Sequence, residues 1–172
     1  MTTLDSTTAL GAITAATAQA VSADAANAQV VFKASAAAAG AVGSAVTLGQ
    51  YTVDVDEPPA LGGENTAPNP VEYYLAALIS CQVVTYRFWA DRLGLVVDDI
   101  AIDAEGDLDV RGFFGLDDDV RPGFTAVRVN VRITGPGTDE QYAELQRVVD
   151  KHCPVLDLSQ EPTPVTTTIA RA

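Results

Sequence analysis

Cysteine, histidine and lysine are scarce in this chain. There are two cysteines, one histidine and, with Lys33 and Lys151, two lysines in 172 residues. Two cysteines and one histidine cannot fill a closed tetrahedral site, so no metal is expected. Ten basic against 23 acidic residues leave a formal net charge of −13. The eight arginines are scattered, which disfavours nucleic acid, because phosphate neutralisation needs clustered cations. No apolar run reaches the length of a membrane span. The first 28 residues lack the basic start of a secretory signal, and Asp5 sits where positive charge would be wanted. A cytoplasmic, reducing location is therefore expected, with both cysteines as thiols rather than a structural disulfide.

What is present suits one domain. Hydrophobic residues make up 48% of the chain, ample for a core at this length. Residues 1–28, rich in Ala and Thr, read as an N-terminal arm, a disordered tail or a weak helix. Residues 29–172 read as the domain. From 29 to 56 the alternation in QVVFKASAAAAG, SAVTLGQ and YTVDVDEPP predicts two or three short strands, with turns near Gly40–Gly43 and Gly49. ALGGENTAPNP, residues 60–70, predicts a loop.

A long helix opens next. Asn69 suits the N-cap, Pro70 the first helical position and Glu72 the N3 position of a capping box. It runs to about Leu93, with Gly94 as its left-handed stop. Its apolar residues go nearly all round, which predicts burial on several sides and hints at a dimer centre. Strands follow from Leu95 and from Phe124, the second with Val127, Val129, Val131 and Ile133 on one face. Residues 111–121 read as an acidic surface loop. Thr138 and Gln141 open another helix that Pro154 ends, and PVTTTIA reads as a closing strand. The order of elements indicates an α+β fold.

The two thiols are the candidate chemistry. Cys81, inside the long helix, reads by residue chemistry as a small buried hydrophobe or as a reactive thiol. Cys153 adjoins His152 and Lys151 at a helix end. Those cations either complement the helix dipole or serve the thiol.

PNPVEYYLAALISC, ADRLGL, GFTAVRVNV, KHCPV and PVTTTIA together resemble the OsmC/Ohr family of thiol-dependent hydroperoxide reductases. The resemblance covers about residues 30–170, and VEYYLAALISC is closer to the broader OsmC-like branch than to typical Ohr. It implies antiparallel sheets wrapped around two central helices in an intertwined homodimer. It implies Cys81 as peroxidatic thiol and Cys153 as resolving thiol. An organic hydroperoxide would be the substrate, no cofactor would be needed, and an external dithiol, with a lipoyl type as one candidate, would be the reductant. Tyr73, Tyr74, Phe88, Trp89 or the Phe113–Phe114 pair would line an apolar pocket.

The chain departs from the family pattern at the activating groups. No arginine precedes Arg87, and Val71 stands where a glutamate follows the helix-opening proline. Lys33 is the available early cation, without arginine's bidentate fork. Glu72 lies nine residues before Cys81, on the opposite helix face, and its spacing fits a cap. Two other readings accordingly stand beside the peroxidase. One is a non-catalytic dimer holding a small hydrophobic ligand, and the other is a stoichiometric redox sensor.

Overall fold

The computed structural model describes residues 7–171; residues 1–6 of the arm, Asp5 included, and Ala172 lie outside that range. Its elements, in order, are α1 (Ala9–Ala23), β1 (Ala34–Ala39), β2 (Gly43–Leu48), β3 (Tyr51–Val55), α2 (Pro70–Leu93), β4 (Asp99–Asp107), α3 (Val110–Phe113), β5 (Ala126–Thr134), α4 (Asp139–His152) and α5 (Pro154–Gln160). The fold is α+β with antiparallel sheets, as expected. It divides into two compact units. One comprises residues 7–77 together with Ala104–Arg128. The other comprises Leu78–Asp103 together with residues 129–171.

In the first unit β1, β2 and β3 form an antiparallel meander, with Ala36 opposite Val46 and Val46 opposite Val53. Gly40 and Gly49 turn the chain at φ +63°, a left-handed conformation that glycine adopts without strain. The loop after β3 is held by one carboxylate. Asp56 Oδ2 accepts from the Glu64 and Thr66 backbone N–H groups and from the Thr66 hydroxyl, each at 3.0 Å. These bonds, led by that from the Thr66 N–H, hold its carboxyl down to about 2. Beyond the loop, Asn69 and Glu72 cap α2 reciprocally. Glu72 N donates to Asn69 Oδ1 at 2.9 Å, and Asn69 N donates to Glu72 Oε2 at 2.8 Å.

In the second unit the core gathers Tyr86, Ala90, Leu145, Val149 and Cys153, with half-buried Leu93, Leu95, Val97, Ile100, Ile102, Val131 and Ile133 packed around them. The residues of α2 that are buried are Leu78, Gln82, Thr85, Tyr86 and Ala90. That is a single stripe at helical spacing, so within one chain α2 is covered on one side only, and Val84 is 56% exposed. Gly94 ends the helix at φ +66°, its N–H reaching Asp91 O while Leu95 N–H reaches Ala90 O. β5 alternates as expected, with Val131 and Ile133 inward and Asn130 and Arg132 outward. Thr138 and Gln141 form the capping box that starts α4.

Four expectations need correction or sharpening. Ala9–Ala23 of the arm form a helix, not a disordered tail, because alanine has the highest helix propensity and Thr8 accepts from Gly11 N–H as N-cap. The acidic loop contains the single turn α3, which starts where Asp109 accepts from the Arg111 N–H. Pro154 does terminate α4, but it also occupies the first position of α5, where its fixed φ and missing N–H cost nothing. PVTTTIA, residues 164–170, is not a strand among the described residues and is exposed throughout. β-Branched composition signals a fit to a pleated surface, not the presence of a neighbouring strand.

Candidate active site

Cys81 lies midway along α2, and Cys153 sits at the joint between α4 and α5. The joint is rigid for a local reason. Cys153 N–H closes the last turn of α4 on Val149 O at 2.9 Å. Its carbonyl accepts from Asp157 N–H at 3.0 Å, opening α5. One residue is thus both the end of one helix and the start of the next, in extended conformation. The corner turns its side chain into the core of the second unit, where it is 1% exposed. Cys81 is half-buried and packs against the same cluster.

The two thiols interact. Burial pushes the Cys153 thiol above its ordinary value, and the neighbouring Cys81 thiol pushes it further in the same direction. The Leu156 backbone N–H and the Thr85 hydroxyl pull the other way. Thr85 follows Cys81 by one helical turn, and its hydroxyl donates to the Cys81 carbonyl at 2.8 Å. It is 7% exposed. Tyr86 is buried in the cluster that contains Cys153. Burial first, then Asp150 and Cys153, push its phenol up to about 12, so it stays protonated. Gln82, next to Cys81, is buried, and its Oε1 has no hydrogen-bond partner among the described residues.

His152 is exposed, and its ring stacks on Trp89 of α2, with centroids 4.5 Å apart and planes inclined by 25°. The stack ties the residue before Cys153 to the helix that carries Cys81. Arg92 lies 4.6 Å from the same indole. Beside the joint a groove of about 430 Å3 is lined by Lys151, His152, Cys153, Pro154, Asp157 and Leu158.

The other residues singled out from the sequence have local roles of their own. Glu72 is exposed and engaged in the cap of α2. Lys33 is exposed in the extended segment before β1. Tyr73 donates to Asp54 O at 2.8 Å, and Tyr74 packs on Phe124 at 5.7 Å. Phe113 and Phe114 meet edge to face and are exposed. Of the expected aromatic lining, Trp89 packs against the cluster that holds Cys153. Sequence reading missed Thr85 and Tyr86. Their one signal was spacing, four and five residues after Cys81, on a helix whose apolar faces gave no direction. Among the described residues no cluster could hold a metal, and no helix is long and apolar enough to cross a membrane.

The family model for OsmC-like protein matches residues 63–168. No curated protein matches. Among solved structures, an OsmC-like protein from Mycoplasma pneumoniae is 16% identical, with a TM-score of 0.67 over 78% of this chain and 90% of its own. An organic hydroperoxide resistance protein from Elizabethkingia anophelis is 19% identical, with a TM-score of 0.62 over 78% and 91%. One from Legionella pneumophila is 24% identical, with a TM-score of 0.59 over 75% and 88%. At these identities the likeness is one of fold.

Proposed function

This chain belongs to the OsmC-like protein family, and from that premise we propose that it is a thiol-dependent peroxidase that reduces organic hydroperoxides. The observation that carries the reading is the packing of half-buried Cys81 against the buried cluster that contains Cys153. Two residues 72 positions apart need not meet unless the fold brings them together. The names of the Elizabethkingia and Legionella relatives point to the same substrate class.

The chemistry has three steps. The Cys81 thiolate attacks the distal oxygen of ROOH; the O–O bond breaks, ROH leaves with a proton, and Cys81 becomes a sulfenic acid. Cys153 then displaces hydroxide from that sulfur, giving a disulfide and water. An external dithiol, a lipoyl type being one candidate, returns both thiols and is itself oxidised to a disulfide. The groove beside Cys153 supports an approach for that reductant. No cofactor takes part.

A partly buried thiol needs local positive potential to ionise. Lys33 is our candidate for that charge, with His152 and Glu72 in supporting roles. The working unit is a homodimer in the cytoplasm. Its support is the apolar surface a single chain leaves open. Val30, Val31 and Phe32 are 71%, 83% and 91% exposed, Ile169 is 99% exposed, and all six residues of β1 are exposed. Sedimentation equilibrium should return twice the chain mass; a monomer at micromolar concentration would remove the dimer.

Cumene hydroperoxide added to the reduced protein should consume both thiols, and Cys81→Ser should abolish peroxide loss. A dithiol should then sustain turnover, whereas a stoichiometric sensor would lose its thiols once. Lys33→Met should slow alkylation of Cys81 at neutral pH, and an unaltered rate would remove Lys33 from the mechanism. A second reading, a non-catalytic dimer holding a small hydrophobic ligand, is favoured by the engagement of Glu72 in the α2 cap. An unchanged thiol titre after hydroperoxide would establish that reading over the first.

A further inference from the structure

We propose that the groove between β5 and α4 is a second binding site, which takes a small primary amine with an apolar body. The assignment does not rest on the peroxidase reading.

The groove has a volume of about 300 Å3. Val131 and Ile133, inward side chains of β5, form an apolar wall, and Tyr142 and Ala143 line it from α4. Tyr142 offers its ring alone, because its hydroxyl accepts from Gly137 N–H and donates to Val96 O, each at 2.9 Å. Such walls suit an apolar body. Tyr86 adds a group of another kind. It is 1% exposed, yet it lines this groove, and its hydroxyl has no hydrogen-bond partner among the described residues. Buried polar groups without a partner are few in native structures, because leaving one unpaired is destabilising. A polar ligand in the groove supplies the missing partner.

Charge selects the polar end of that ligand. Asp139, Ala143, Gln146 and Asp150 recur three or four residues apart and so share one face of α4. The face has a carboxylate at each end and no basic residue between them. Arg147 is turned to Glu144 in an ion pair, whereas Asp139 has no ion pair among the described residues. Asp139 and Glu140 also offset the positive end of the helix. Asp150 acts on the Tyr86 phenol from the same side and helps to keep it protonated. An anion would meet these carboxylates and a chain of net charge −13. An ammonium has three N–H donors and no acceptor. The Tyr86 oxygen, the Asp139 carboxylate and the Gln146 carbonyl are the acceptors on this groove. Two tyrosine rings add faces that attract a cation.

Benzylamine tests the site in the full chain, followed through the amide resonances at about 150 mM salt, where long-range attraction is screened. The amides of Val131, Ile133, Tyr142 and Ala143 should shift saturably. Benzyl alcohol, which lacks the charge, and benzoate, which reverses it, should bind at least about tenfold more weakly. Tyr86→Phe keeps the ring in the core, and circular dichroism checks that the chain folds. It should weaken benzylamine by about threefold to tenfold, the worth of one hydrogen bond. Asp139→Asn changes an exposed residue, and the loss of a screened ion pair should weaken benzylamine by about twofold to fivefold. Peroxide consumption should be unaltered in Asp139→Asn. Shifts that do not saturate would overturn the proposal, as would an affinity that neither variant changes. Tighter binding of benzyl alcohol or benzoate would overturn it as well. The readout is binding, so a chain that consumes no peroxide ends the peroxidase reading and leaves this result standing.

Discussion

The two units hold their shape in opposite ways. Around the thiols, apolar packing dominates: Leu145 and Val149 are fully buried, and hydrogen bonds fix the backbone at the Cys153 corner. In the unit that carries the three-stranded sheet, a polar anchor does it: Asp56 gathers three donors, while β1 leaves every side chain exposed. Apolar packing fixes the position of the Cys153 sulfur in a dry environment. A carboxylate anchor fixes a loop and leaves the strands free to take another neighbour. The proposed chemistry belongs to the first kind of region, where a charge can be controlled by single groups.

The largest effect should come from the packed unit. Leu145→Ala removes a fully buried side chain and should cost about 2–5 kcal/mol. Val53→Ala, on the half-buried β3, should cost about 1 kcal/mol, since a half-exposed side chain loses only part of its transfer energy. Urea unfolding measures both; equal losses would break the comparison. Leu145→Ala should also slow disulfide formation after peroxide, whereas Val53→Ala should leave it alone.

Acid should act on the polar unit first. The Asp56 carboxyl lies at about 2, against an ordinary value of 3.8. A carboxyl lowered by folding contributes stability above its unfolded pKa, and that contribution disappears as pH falls through the folded value. The 56–66 loop should therefore loosen between about pH 4 and pH 2. In Asp56→Asn the Glu64 and Thr66 amides should already exchange rapidly at neutral pH, with peroxide consumption unaltered. Hydrogen exchange reads both, and protection of those amides in the variant would remove Asp56 as the anchor.

The smallest effect belongs to the stack. His152→Ala should leave the unfolding midpoint within the range of about 0.5–1.5 kcal/mol expected of an aromatic pair. It should slow disulfide formation by a few-fold, because Cys153 loses one tie to α2. Trp89, the only tryptophan, makes the change visible as altered fluorescence. An unchanged emission spectrum together with an unchanged rate would reduce the stack to a surface contact.

Much of the fold was legible along the chain. The cap at Asn69 and Glu72, the stop at Gly94, the box at Thr138 and Gln141, and the alternation of β5 are each set by residues within a few positions of one another. The misreadings share a cause. Pro154 closes one helix and opens another, and a rule about proline gives the first half only. The strand expected at 164–170 rested on composition, while a strand also requires an edge to pair with. In the site, the thiols and His152 were visible as residue types. The burial of Tyr86 beneath the same helix face was not, because the apolar residues of α2 run nearly all round and mark no direction.

Local chemistry along the chain thus determined where helices start and stop, which strand face is apolar, and that two thiols were available on or beside helices. Only the tertiary structure decided that Cys81 packs against the cluster that holds Cys153, and that Cys153 is closed off from solvent. Caps and periodicities act over one or two turns of chain. The environment of a sulfur is composed by segments 72 residues apart, and no local preference encodes their meeting.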